Sequence, residues 1–271
     1  MKPVLGITVE PDQVHDLIGQ ESFGQAWHGF ELPGFVLGDR TWDETLSQVQ
    51  RGISHVRDIL PDDVARYLPE TDTTARRAIL DSLVEQLKLT VDYGVKCCTL
   101  ELGIERIAVE HREAALLARE DLIKRLLPVA DSLDVSICLP QREPCTPPGA
   151  HFAEYATQLV TTLDHDACKL TLNVFPNELH TLTVTELVQR SYSHVGVIRF
   201  FYEPGIGLRL DREQQLIWAR ALHLRRYDGL VVFCPLVKDR DKFCFEADQL
   251  LGLVQEIWLE QNREFDTVDG T

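Results

Sequence analysis

Long apolar runs are missing from this 271-residue chain: no stretch approaches the 18 or more consecutive apolar residues of a membrane span. The start, "MKPVLGITVEPD", reaches Glu10 before any apolar run attains the length of a signal sequence, so a cytoplasmic protein with no membrane contact is expected. Basic residues are scarce, 27 against 43 acidic ones. The resulting formal charge of −16 repels polyanions and argues against nucleic acid and anionic membrane as partners. Cysteine occurs seven times but never as Cys-x-x-Cys or at zinc-finger spacing. Cys97 and Cys98 are adjacent, and neighbours on a strand point to opposite faces, so they make poor disulfide partners. Mostly buried free thiols are the reading. Linkers rich in Pro, Gly or Ser are absent too, which predicts one domain over residues 1–271.

What remains is enough to bury a large core: 44% of residues are hydrophobic and 26% charged, as in ordinary globular proteins. Eight short β-rich runs recur along the chain: "VLGITV" (4–9), "AWHGFEL" (26–32), "ISHVRDI" (53–59), "CCTLEL" (97–102), "VSICLP" (135–140), "KLTLNV" (169–174), "VGVIRFF" (195–201) and "LVVFCP" (230–235). Between most of them lie helical patterns. In "TARRAILDSLVEQLKLTVDYG" the residues Ile79, Leu80, Leu83, Leu87 and Val91 form one stripe, with Gly94 as its C-cap. "EDLIKRLLPVADSL" and "FAEYATQLVTTL" behave likewise.

Strand and helix alternating eight times predict an α/β fold, a single (β/α)8 TIM barrel. Its site belongs at the carboxyl ends of the strands. Those ends read Glu10, Glu31, Arg57 or Asp58, Glu101, Gln141 or Arg142, Asn173, Arg199 and Cys234. "QREPCTPPGAH" (141–151) is the candidate loop over the mouth. "GIG" at 205–207 lacks both the Lys-Ser/Thr of a P-loop and a dinucleotide-site context, so no nucleotide cofactor is implied.

Three segments resemble the xylose isomerase-like barrels, the sugar phosphate isomerases/epimerases. "ISHVRDILPDDVARYLPETDTTARRAILDSLVEQLKLTVDYGVKCCTLELG" looks like that family's third strand, long helix and fourth strand. "EPGIGLRLDREQQLIWARALHLRRYDGLVVFCPL" is similar to its seventh loop, following helix and Tyr-Asp-Gly entry to strand eight, and "GFEL" to its second strand. The resemblance implies isomerisation, epimerisation or a related proton transfer on a sugar or sugar-derived acid, in a barrel of a kind that commonly forms a homodimer. The rival expectation is a non-catalytic carbohydrate-binding or scaffold protein. The superfamily's metal-dependent DNA-repair endonucleases are disfavoured by the negative charge.

Family members hold a divalent Mn, Mg or Zn ion with Glu, Asp, His and Glu from strands five to eight, and the ion polarises a sugar carbonyl. The matching positions here are Pro140 (beside Gln141), Asn173, Arg199 and Cys234. Proline offers no ligand, and a fixed guanidinium would repel an ion at close range. The family metal is therefore expected to be absent, with no other cofactor. Arg199 then either bridges neighbouring acids such as Glu101 or Glu31 or takes over the ion's electrostatic role towards a ligand oxygen. Glu101 and Glu31 are candidate general bases if burial raises their pKa, or partners of Arg57, Arg106 or Arg199. Cys234 reads as a substrate contact at the strand end, a nucleophile or inert packing, and His55 as a substrate contact or a satisfied core histidine. Gln141 and Asn173 line the predicted mouth, and Tyr202, Glu203 and Lys238 sit just beyond strands seven and eight, within reach of a sugar hydroxyl.

Overall fold

The computed structural model describes residues 3–10, 13, 28–42, 52–104, 107–141, 152–174, 192–202, 212–235, 243, 250, 252 and 254–259. Eight parallel strands close into a barrel in sequence order: β1 Val4–Thr8, β2 Gly29–Pro33, β3 Ile53–Arg57, β4 Cys97–Thr99, β5 Ser136–Pro140, β6 Cys168–Val174, β7 Val195–Tyr202 and β8 Leu230–Pro235. β8 pairs back onto β1, with Val4 beside Leu230 and Ile7 beside Phe233. The fold expected from the eight β-rich runs is the fold observed. Each run coincides with a strand to within a few residues.

Helices α1 Pro61–Arg66, α2 Thr73–Asp92, α3 Arg112–Ser132, α4 Phe152–Leu163 and α5 Arg212–Leu224 cover the outside. Alternation along each strand divides the apolar residues into two sets. Outward residues such as Ile7, Leu32, Val56, Leu139, Leu172, Phe200 and Phe233 join the large core beneath the helices. A second, smaller cluster of Cys138, Val197, Phe201, Leu230, Val232 and Cys234 fills part of the barrel interior. On the outer side of β7 and β8, Phe200 stacks on Phe233 at 5.7 Å and meets Trp218 edge-on at 5.3 Å. Trp258, from a late helical turn, completes that group and donates its indole N–H to Gln215 at 2.8 Å.

In α2 the buried stripe is Ile79, Leu83, Gln86, Leu87 and Thr90, while Leu80 is half-buried and Val91 is 38% exposed. The expected inclusion of Val91 is corrected: after Leu87 the next inward position falls three residues on. Gly94 follows the helix at φ +76, a left-handed conformation natural to glycine, and its N–H bonds to the Val91 carbonyl at 2.9 Å. Arg119 of α3, fully buried, donates to the carbonyls of Leu102, Tyr67 and Ala65 and so ties the connection after β4 to the end of α1.

Two slips in pairing shape the interior. Between β2 and β3 the register shifts at Phe30/Glu31, so that Ser54 and His55, adjacent in sequence, both approach β2 from the barrel side. Ser54 crowds the Cβ position of Gly29, and His55 reaches Glu31. A similar shift against β6 makes Gly196 the extra residue of β7.

Candidate functional site

Glu31 is the hub of the barrel interior. It stands third of five residues on β2 rather than at the strand's end, and it is fully buried. One carboxylate oxygen accepts from the Thr8 hydroxyl at 2.7 Å and from Arg199 Nη2 at 2.8 Å, with Arg57 Nε 3.8 Å away. The other lies 2.5 Å from His55 Nδ1. Burial alone would push this carboxyl up. The guanidinium of Arg199, the ring of His55 and then Arg57 outweigh that effect and hold it well below the usual carboxylate range. Glu31 is held as an anion whose oxygens face Thr8, Arg199 and His55, the arrangement of a counter-ion.

His55 is spent in the same way. An ionised Glu31 can only accept, so Nδ1 carries a proton towards it, and Nε2 sits 2.8 Å from the Thr99 hydroxyl. Thr99 in turn is 2.9 Å from the Thr171 hydroxyl across the barrel. Both ring nitrogens of His55 are engaged and the residue is fully buried, as a satisfied interior histidine would be.

Cys234 faces inward on β8, with its sulfur 3.0 Å from the Thr8 hydroxyl. The Thr8 hydroxyl is thus shared between this sulfur and the Glu31 carboxylate, and the thiol itself points to the Val232 carbonyl at 4.0 Å. Burial pushes the Cys234 thiol up to about 12; neighbouring Arg199 lowers it and Glu31 raises it. Burial thus favours the protonated thiol over the thiolate.

Arg199, inward on β7 and paired in register with Asn173 and Val232, is 3% exposed. Burial would lower its affinity for a proton, yet Glu31 beside it more than compensates, and it stays charged. Its guanidinium lies over the Phe201 ring at 4.9 Å. Nε of Arg199 has no hydrogen-bond partner among the described residues, and neither has Nε of Arg57. Arg57, 17% exposed in its side chain, leads outward from this centre to Glu10 at 2.5 Å and Asp58 at 3.5 Å. A cavity of about 420 Å³ opens there, lined by Glu10, Pro33, Phe35, Arg57 and Asp58 among others.

Of the remaining candidates, Glu101 lies two residues past β4 on the inward face and is 9% exposed. Asn173, also 9% exposed, holds the corresponding place on β6. Gln141 follows β5, with its N–H on the Thr171 carbonyl at 2.9 Å. Tyr202 ends β7, but its side chain lies outside the described residues, as do Arg106, Arg142, Glu203, Lys238, the Gly-Ile-Gly stretch and residues 142–151 of the expected mouth loop. The sequence reading missed Thr8, Thr99 and Thr171, which carry the interior hydrogen bonds. Their one signal is inward alternation on β1, β4 and β6.

These residues do not fit the ion of the resembled family. Pro140 has no donor, Asn173 offers a neutral amide, Cys234 is a protonated thiol, and Arg199 brings a cation to the place an ion would need. Among the described residues no three His, Cys, Asp or Glu side chains converge as a metal site. No described helix is long and apolar enough to cross a membrane.

No family model matches the chain, and no curated protein matches it significantly. Solved structures do. A D-psicose 3-epimerase studied with D-fructose superposes with a TM-score of 0.74 at 15% identity, covering 95% of this chain and 99% of its own. A 3-keto-D-glucoside 4-epimerase from E. coli gives 0.68 at 13%, covering 93% and 99%. An AP endonuclease of family 2 from Brucella melitensis gives 0.63 at 14%, covering 91% and 98%. Likeness at this distance reaches sugar epimerases and an endonuclease alike, so what the chain shares with them is the TIM-barrel fold itself.

Proposed function

We propose that this barrel acts on a sugar or sugar-derived acid by proton transfer beside a carbonyl, as an isomerase or epimerase, with Arg199 in the electrostatic place of a metal ion. The observation that carries the reading is the guanidinium fixed inside the barrel on β7, anchored through one nitrogen to Glu31 and with its Nε–H free of any partner among the described residues. A carbonyl oxygen received there would gain hydrogen bonds that strengthen as enolate charge develops. Epimerases among the fold's neighbours, named for D-psicose and a 3-keto-D-glucoside, support a sugar as the substrate class.

With Glu31 and Cys234 locked in single protonation states, Glu101 is the candidate base from the original set, and Asn173 and Gln141 are the candidate hydroxyl contacts. The locking of Glu31 and Cys234 also favours a second reading, a barrel that binds a carbohydrate without converting it. Incubation of a panel of ketoses and sugar acids in deuterated water, with EDTA present, separates the two. The enzyme reading predicts deuterium at the carbon beside the carbonyl and its loss in Glu101→Gln with binding kept. Binding without exchange in the unaltered protein would select the non-catalytic reading, and neither binding nor exchange would overturn both.

A further inference from the structure

A second cavity, of about 490 Å³, opens at the opposite end of the barrel, where the strands begin. It exists because the first inward layer is small. Gly6 pairs beside Gly29, Cys97 beside Ser136, and Gly196 fills the slip on β7, where barrels of this kind stack branched side chains. Lys169 reaches into this space from the face of β6 that carries Thr171. Its stem lies against Gly196, where an added Cβ would come within 3.0 Å of Lys169 Cβ and 2.9 Å of Cys138 Sγ. Lys96, on the exposed rim, pairs with Asp134 at 2.6 Å. Lys169 has no carboxylate within ion-pair distance among the described residues. Asp228, the carboxylate that lines the cavity, stands exposed at its edge.

Half-buried and without a carboxylate in ion-pair range among the described residues, Lys169 offers the cavity an unneutralised positive charge that an anion can meet. We propose that this floor cavity binds a compact anion, a carboxylate or phosphate group, held by the Lys169 ammonium with the Ser136 hydroxyl beside it. Val4, Val195, Tyr227 and Leu230 give the cavity apolar walls, and its volume suits a small metabolite more than a bare ion. The site is independent of the mouth: the interior layer of Cys138, Val197 and Val232 separates the two ends.

Cys97 is half-buried in the same cavity and reports on it. Its alkylation by iodoacetamide, followed by peptide mass mapping, is measured in inorganic phosphate, in malonate and in chloride at equal ionic strength. Saturating phosphate or malonate is expected to slow labelling of Cys97 by about 5-fold or more, as occupancy of the site dictates. Protection by one anion alone names the class that is bound. The ratio collapses towards 1 in Lys169→Gln and is retained in Lys169→Arg. Equal labelling in all three salts would overturn the proposal, and so would full protection in a folded Lys169→Gln. The salt comparison uses the unaltered protein and stands whether or not the variants fold.

Discussion

Glu31 and Arg199 lie 168 positions apart in sequence, yet each exists as a buried charge because of the other. Breaking such a pair from one side leaves an uncompensated charge. Glu31→Gln is therefore expected to destabilise by about 3–5 kcal/mol, and pairing it with Arg199→Met should recover much of the loss. Chemical denaturation of the two single variants and the double variant checks this, and equal, additive losses would contradict the coupling. The same pair sets a pH dependence. Because the folded carboxyl titrates well below an unfolded glutamate, its stabilising contribution is complete above about pH 4.3 and fades as pH falls below that value. Melting curves from pH 7 down to 3 should show a steeper acid loss for the native chain than for Glu31→Gln. The sequence offered Glu31 as a polar residue on a strand, and Arg199 as a cation in need of an acid. It left open which acid, because alternation names a face and not the neighbour across a barrel.

At the scale of single elements, α2 is held by an ordinary local device. Asp72 caps it, accepting from the N–H groups of Thr74 at 2.8 Å and Ala75 at 3.1 Å. Asp72→Ala is expected to cost about 1 kcal/mol, seen as a lower denaturation midpoint with an unchanged slope. The Gly94 cap at the other end of this helix was legible in the sequence, and so were the strands. Two features were not. Val91 was drawn into the stripe by counting four residues from Leu87, whereas the turn brings Thr90 inward, and its hydroxyl bonds the Leu87 carbonyl at 2.6 Å. The slip between β2 and β3 was equally hidden, since a bulge depends on both strands. It nevertheless sets the place of His55, which it brings onto Glu31.

For the whole molecule, repetition of type was sufficient: eight apolar runs separated by amphipathic helices leave a closed parallel barrel as the arrangement that buries both faces. Legibility ended at the site, because chemistry there depends on which side chains meet across the barrel, and alternation along one strand does not name them. In the function proposed above, the barrel's positive centre is the Arg199 guanidinium and not a coordinated ion. Calorimetric titration of Mn²⁺ into the chelator-treated protein tests this most directly. No stoichiometric uptake is expected, whereas one-to-one binding that is lost in Asn173→Ala would overturn the proposal.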